Sequence, residues 1–208
     1  MSIRIIQHPL IMDKLARMRD EKTPSETFRH LVVEVANLLA YEATRNLDTI
    51  ENEVRTPLNL NAKVRMLHGK SPAIIPILRA GLGMVDGILR LIPNAIVGHL
   101  GIYRDHNTLQ PVVYYNKLPD DISERHVIIV DPMFATGGSL IAACDMIKKH
   151  KPRSLRAMCI LAAPEGMDAF EKLHPDVTVY CAAVDEKLNA NGRTHCGSGY
   201  ETQRRGPA

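Results

Sequence analysis

With 208 residues, 45% apolar and 24% charged, the chain is long enough for one full α/β core and has the composition of an ordinary globular protein. A formal charge of +3 is too small to argue for nucleic acid or a membrane surface as a partner, and no apolar stretch has the length of a membrane span or a secretory signal. The four cysteines form no C-x-x-C pair and the nine histidines show no ligand spacing, which argues against a zinc site and for buried free thiols in a reducing cytoplasm.

In chain order, residues 11–19 read as a short helix. Thr23-Pro24-Ser25-Glu26 has the form of a capping box with proline at the first helical position. It opens a longer helix in which Phe28, Leu31, Val32, Val35, Leu38, Leu39 and Ala43 recur at intervals of three and four. Both helices precede the repeating strand–helix pattern, so they either pad a sheet or build a subunit interface. Residues 48–70 are polar and mixed, and predict short strands or a hairpin. From residue 73 the chain alternates, with strands at 73–78, 95–103, 127–131, 155–162 and 177–184 and helices at 84–92, 139–150 and 166–173. The expectation is an α/β fold: a doubly wound, mostly parallel sheet flanked by helices and joined by right-handed crossovers. No repeat, low-complexity tract or linker divides it, so residues 1–208 are expected to form one domain.

The most informative stretch is Val127-Ile128-Ile129-Val130-Asp131-Pro132-Met133-Phe134-Ala135-Thr136-Gly137-Gly138-Ser139. Four consecutive branched apolar residues fit a strand buried on both faces, and the acid falls at its carboxyl end, where open α/β sheets bind ligands. Thr-Gly-Gly-Ser running into a helix can turn amides, hydroxyls and a helix N-terminus towards one anion. A phosphate is the natural guest, with Asp131 placed for the hydroxyls of an attached sugar. The run is neither a P-loop, which needs a lysine after the glycines, nor the dinucleotide fingerprint. A second strand end, Arg79-Ala80-Gly81-Leu82-Gly83, offers a charged fork and amides suited to a pyrophosphate. A third segment, from Gly101-Ile102-Tyr103-Arg104 to Tyr114-Tyr115-Asn116-Lys117, alternates about a polar turn and predicts a two-stranded flap over residues 101–119.

Together these segments resemble the uracil phosphoribosyltransferases, a family of the type I phosphoribosyltransferases. VDPMFATGGS is similar to that family's loop for phosphoribosyl pyrophosphate (PRPP), PILRAGLGM to its pyrophosphate loop, and G-x-Y-R with Y-x-K-L-P to its hood. The resemblance implies transfer of the 5-phosphoribosyl group from PRPP to uracil, giving UMP and pyrophosphate. It implies Asp131, Arg79 and Arg104 as catalytic groups, and a PRPP site made by Arg79, Arg104, Asp131, Pro132, Met133, Phe134, Ala135, Thr136, Gly137, Gly138 and Ser139. Lys117 is a weaker candidate. Mg²⁺ would arrive on PRPP with no dedicated protein ligand. A homodimer or larger homo-oligomer and a GTP effector are further expectations, whereas nucleic acid and membrane partners are not.

The resemblance runs from about residue 8 to residue 189 and then weakens. Where the family has a segment like Y-I-V-P-G-L-G-D-A-G-D-R, this chain has Arg193-Thr194-His195-Cys196-Gly197-Ser198-Gly199-Tyr200-Glu201-Thr202-Gln203-Arg204. The uracil site is expected here, at Thr194, Gly199, Tyr200 and Glu201. Two readings stay open. Main-chain recognition of uracil could persist, since Gly197 and Gly199 still permit the turn, or the pocket is weakened or altered; the second has a slight advantage. The rival classes are transfer to another base and a PRPP- or nucleotide-sensing RNA regulator, for which the scattered basic residues offer little.

Overall fold

The computed structural model describes residues 3–104 and 111–186. In chain order the elements are β1 (Ile3–Ile5), α1 (Pro9–Arg19), α2 (Ser25–Ala43), β2 (Thr49–Arg55), β3 (Asn61–Leu67), β4 (Ala73–Leu78), α3 (Leu82–Leu91), β5 (Ile96–Val97), β6 (His99–Arg104), β7 (Pro111–Lys117), β8 (His126–Val130), β9 (Met133–Phe134), α4 (Gly138–Lys148), β10 (Ser154–Ala162), α5 (Pro164–Leu173) and β11 (Thr178–Val184). The main sheet has the order β1-β11-β10-β8-β4-β6-β7, with β5 beside β4 and β9 beside β10. Every pairing in it is parallel except β6 with β7.

Helices cover both faces of this sheet, which is why its central strands run apolar over Ala73–Leu78 in β4 and from Val127 to Val130 in β8. Ile74, Ile128, Met158 and Tyr180 face one way, into a core shared with α1, α2 and α3. Ile75, Ile129, Cys159 and Cys181 face the other way, onto Leu140, Cys144 and Ile147 of α4 and Phe170 of α5. The apolar stripe of α2 therefore lies in the core: Val35, Ala36, Leu39, Ala40 and Ala43 are fully buried. Among the described residues no helix is long and apolar enough to cross a membrane.

Several boundaries differ from the sequence expectation. The capping box before α2 does not form: Pro24 is itself the N-cap and has no side-chain cap bond. Thr23 Oγ1 instead donates to the Arg17 carbonyl at 2.6 Å, tying the two helices together. The strand expected over 95–103 is split into β5 and β6 at Gly98, where an added Cβ would meet Ile75, the Lys117 carbonyl and Pro119 within 2.9 Å. The segment 48–70 is a hairpin of β2 and β3, paired with each other and apart from the main sheet. Its register sets Ile50 against Met66 on one face, and Glu51 against Arg65 with Glu53 against Lys63 on the other. The edge strand β1, three residues long, gave no recognisable pattern in the sequence.

Two predictions follow from packing and burial. At Gly87 an added Cβ would strike the backbone carbonyl of Val33 where α3 crosses α2. Gly87→Ala is expected to cost about 1–3 kcal/mol and lower the Tm by several degrees, at roughly 2–4 °C per kcal/mol for a chain of this size; an unchanged melting curve would contradict the packing. At the start of β8, burial, with Arg153 and Arg156 nearby, holds the His126 imidazole below its ordinary pKa. The folded state therefore favours neutral His126, while the unfolded chain takes up a proton below about pH 6.5. Its contribution is complete above that pH and is lost as the pH falls. His126→Gln should reduce the drop in Tm between about pH 7.5 and about pH 5, and a drop of undiminished size would remove His126 as its source.

Candidate functional site

The direction of winding reverses between β4 and β8. From β4 the chain passes through α3 to β5 and β6 on one side, then returns to β8 on the other and continues outwards to β10 and β11. Such a reversal leaves a crevice outside the carboxyl ends of the two strands, the preferred ligand site of open α/β sheets. The register pairs Pro76 with Val130, so Asp131 follows one residue beyond that pair and Arg79 three. The structure thus brings two of the loops singled out in the sequence to one crevice.

Asp131 is half-buried, and its amide is held by the Met158 carbonyl at 3.1 Å. The Pro132 carbonyl accepts from the amides of Ile160 and Leu161 at 3.0 and 3.1 Å, so it is committed to β10. Phe134 turns inward, edge-on to Phe170 with ring centroids 5.6 Å apart. Met133, Ala135, Thr136, Gly138 and Ser139 remain partly exposed on the other side of this alternation. Gly137 is the N-cap of α4 with φ 84° and ψ −19°, a left-handed conformation that glycine adopts without the usual side-chain penalty. With that turn the amides at the start of α4 lie at the mouth of the crevice, and the helix dipole favours an anion there.

The second loop is equally tight. Gly81 donates to the Ile77 carbonyl at 2.9 Å, and the Leu78–Arg79 peptide is cis. A Cβ on Gly81 would collide with the Val130 carbonyl, the last before Asp131. Only glycine lets the Arg79 loop sit directly against the end of β8. Arg79 itself is exposed. The third segment is the antiparallel pair β6–β7, in which Leu78 of β4 pairs with Gly101 and Arg104 pairs with Pro111 at the far end. Arg104 therefore ends the strand on the same side of the sheet as the two loops. Lys117 does not: it lies opposite His99, five residues back along β6, or about 17 Å from Arg104. Tyr114 lies over Gly101, where an added Cβ would come within 2.6 Å of its ring, and the Tyr103 and Tyr114 centroids are 6.0 Å apart. The residues expected to meet uracil, Thr194, Gly199, Tyr200 and Glu201, lie outside the described residues.

One site residue escaped sequence reasoning. Gly166, in the first turn of α5, lies beneath the Thr136–Gly137 turn, where an added Cβ would clash with the Ala135 carbonyl and come within 3.0 Å of the Gly137 amide. Only the three-dimensional return of the chain after β10 reveals this contact; nothing in Pro164-Glu165-Gly166 signals it. As for a metal, the single carboxylate between the loops, Asp131, matches an ion that already carries phosphate oxygens and water. Among the described residues no group of three or more His, Cys, Asp or Glu could cage one.

The fold, with its crevice at the β4–β8 reversal, is that of the type I phosphoribosyltransferases. The architecture superimposes on a hypoxanthine-guanine phosphoribosyltransferase from Bacillus anthracis with a TM-score of 0.53 over 77% of this chain and 80% of that one; at 16% identity the likeness is one of fold alone. The chain belongs to the uracil phosphoribosyltransferase family, whose model matches residues 5–204. It is 58% identical over 187 residues to the uracil phosphoribosyltransferase of Clostridium beijerinckii, covering 90% of this chain and 89% of that one. The AQ2163 protein from Aquifex aeolicus is similar in structure, with a TM-score of 0.86 and 39% identity over 91% of this chain and 90% of that one. The family match continues through the segment after residue 189, where the sequence departs from the family wording.

Gly166→Ala is expected to push the turn off its seat at a cost of about 1–3 kcal/mol. Amide exchange at residues 135–138 should then accelerate by on the order of tenfold or more, as read by hydrogen–deuterium exchange. Unchanged protection there would show that α5 does not support the turn.

Proposed function

We propose that this chain transfers the 5-phosphoribosyl group from PRPP to uracil, giving UMP and pyrophosphate. What carries the reading is the meeting of an acid-and-glycine loop with an arginine-and-glycine loop at the β4–β8 reversal, in a chain of this family. A nitrogen of the uracil ring gives up its proton to water or to the pyrophosphate and forms a bond to the anomeric carbon of the ribose, as the bond from that carbon to the pyrophosphate oxygen breaks. The transition state carries positive charge on the sugar and negative charge on the leaving group. It needs fixed dipoles and charges more than a nucleophile.

The residues divide that task. Thr136, Gly137, Gly138 and Ser139 hold the 5′-phosphate at the start of α4. Asp131 accepts hydrogen bonds from the ribose hydroxyls and places one negative charge beside the developing cation. Arg79 and Arg104 balance the departing pyrophosphate, which a guanidinium can grip in a bidentate fashion. Met133 and Ala135 line the loop, while Pro132 and Phe134 fasten it to β10 and α5. PRPP would bring Mg²⁺ with it, which would neutralise further charge on the diphosphate. Thr194, Gly199, Tyr200 and Glu201 belong to the base site in this reading. The unit is one phosphoribosyltransferase domain over residues 1–208, working in the cytoplasm as a homodimer or larger homo-oligomer open to a GTP effector. The family match through residue 204 favours uracil as acceptor over an altered base or a regulatory role.

Calorimetric titration with PRPP in the presence of Mg²⁺, and turnover with uracil, test the two halves of the site separately. Asp131→Ala should keep its fold and lose at least about 100-fold in kcat/KM. Near wild-type turnover in that variant would remove Asp131 from the mechanism.

A further inference from the structure

Helix α5 supports the turn assigned above to the 5′-phosphate at two points. One is Gly166, beneath Ala135 and Gly137. The other is a run of rings. The Phe134 ring lies under Gly137, its Cε2 3.3 Å from where a Cβ on that residue would stand. Phe170 meets Phe134 edge-on at 5.6 Å, and His174 lies against Phe170 with ring centroids 5.2 Å apart. Phe170 is fully buried and His174 is 3% exposed, so neither ring can shift without moving the next.

His174 ends this run at the place where α5 is tied to α4. Its Nδ1 stands 3.0 Å from Lys148 Nζ, and Lys148, the last residue of α4, also donates to Asp176 Oδ1 at 2.6 Å. An ammonium carries only donors, so Nδ1 accepts and the ring proton sits on Nε2. That atom is buried, makes no hydrogen bond and faces Asp145 Oδ1 at 3.5 Å. The neutral ring therefore satisfies Lys148 and leaves its own N–H unmatched, at a cost in free energy. A second proton can enter only at Nδ1. It would set an N–H against the ammonium, while the imidazolium would be drawn to Asp145. The other titratable groups around the ring are Asp176, whose carboxyl the bond from Lys148 holds below its ordinary range, and the Cys144 thiol of α4, which burial pushes up to about 12. On α5 itself they are Glu171 and Lys172, both exposed.

We propose that His174 is a positioning residue for the phosphate turn: its neutral form latches α5 to the end of α4 through Lys148, and uptake of a proton at Nδ1 frees that latch and loosens the turn through Phe170 and Phe134. The inference rests on the reading above in which residues 136–139 hold the 5′-phosphate. Buried behind two rings, His174 reaches no substrate. Histidine changes charge between about pH 5 and about pH 8. PRPP binding should therefore weaken with acid by more than the substrate's own ionisation brings.

The test is calorimetry with PRPP and Mg²⁺ on the full chain at about pH 7.5 and about pH 5.5, beside variants of both latch residues. His174→Asn keeps an acceptor for Lys148 and cannot take up a proton; Lys148→Met removes the latch and leaves the ring in place. Lys148 is partly exposed, so its replacement decides the matter if His174→Asn does not fold. The rise in Kd from the higher to the lower pH should be about fivefold or more larger in the parent than in His174→Asn. At the higher pH Lys148→Met should bind about fivefold or more weakly than the parent, and the gap should narrow at the lower. Lys148→Arg, which can still donate to Nδ1, should recover most of the loss. Amide protection at residues 135–138 should follow the same order. Equal pH dependence in the parent and the variants, or a lower Tm with PRPP binding unchanged, overturns the proposal and leaves a structural contact. Parent protein that does not bind PRPP strikes the assignment of the turn, and the protection of residues 135–138 then decides the role of His174 by itself.

Discussion

The contact between Gly81 and the Val130 carbonyl is the constraint on which the rest of the site depends. Two parallel strands at the centre of the sheet end side by side, and each must turn away without opening a gap between them. A methyl group at residue 81 would wedge the turns apart, and the arginine loop and the acid loop would no longer border one crevice. The pairing of Pro76 with Val130 sets the longitudinal register, and the missing side chain sets the lateral distance. Both operate on the main chain, where rotamer freedom cannot blur them. A reaction driven by placed charge needs that rigidity more than it needs a reactive side chain.

The same logic extends outward from the crevice. The acid loop is tied on three sides: by the Met158 and Ile160 ladder to β10, by Phe134 against Phe170, and by Gly166 under its turn. Phe134 and the Pro132 carbonyl are taken up by this support, while Asp131, Thr136, Gly138 and Ser139 stay half-buried at the edge of the crevice. One strand of nine residues, β10, thus links the ends of β8 and β11.

Much of this was legible in the sequence because burial on both faces leaves strong local marks. AIIPIL, VIIV and the long apolar stripe of α2 have no other economical reading, and β4 occurs at the expected bounds. The turn into α4 was legible because Thr-Gly-Gly-Ser after an acid is a rare combination of backbone freedom and polar groups. Features decided by distant contacts were not. Thr23 was free to cap α2 on local rules, yet its hydroxyl is taken by Arg17. Gly98 breaks a strand because Ile75 and Pro119 crowd it, and Gly166 serves a turn some thirty residues earlier in the chain. Lys117 matched a family wording, but antiparallel register carries it to the wrong end of β6.

Cys144, Cys159 and Cys181 are free and buried in the layer between the sheet and the α4–α5 face. Burial pushes the Cys144 thiol up to about 12 and raises Cys159 well above its ordinary value. Held protonated and out of reach, Cys144 and Cys159 are chemically silent at neutral pH, yet each becomes an ordinary nucleophile once its stretch of core opens. The molecule therefore carries its own clock for breathing: alkylation at each of these positions proceeds only as fast as that layer separates from the sheet.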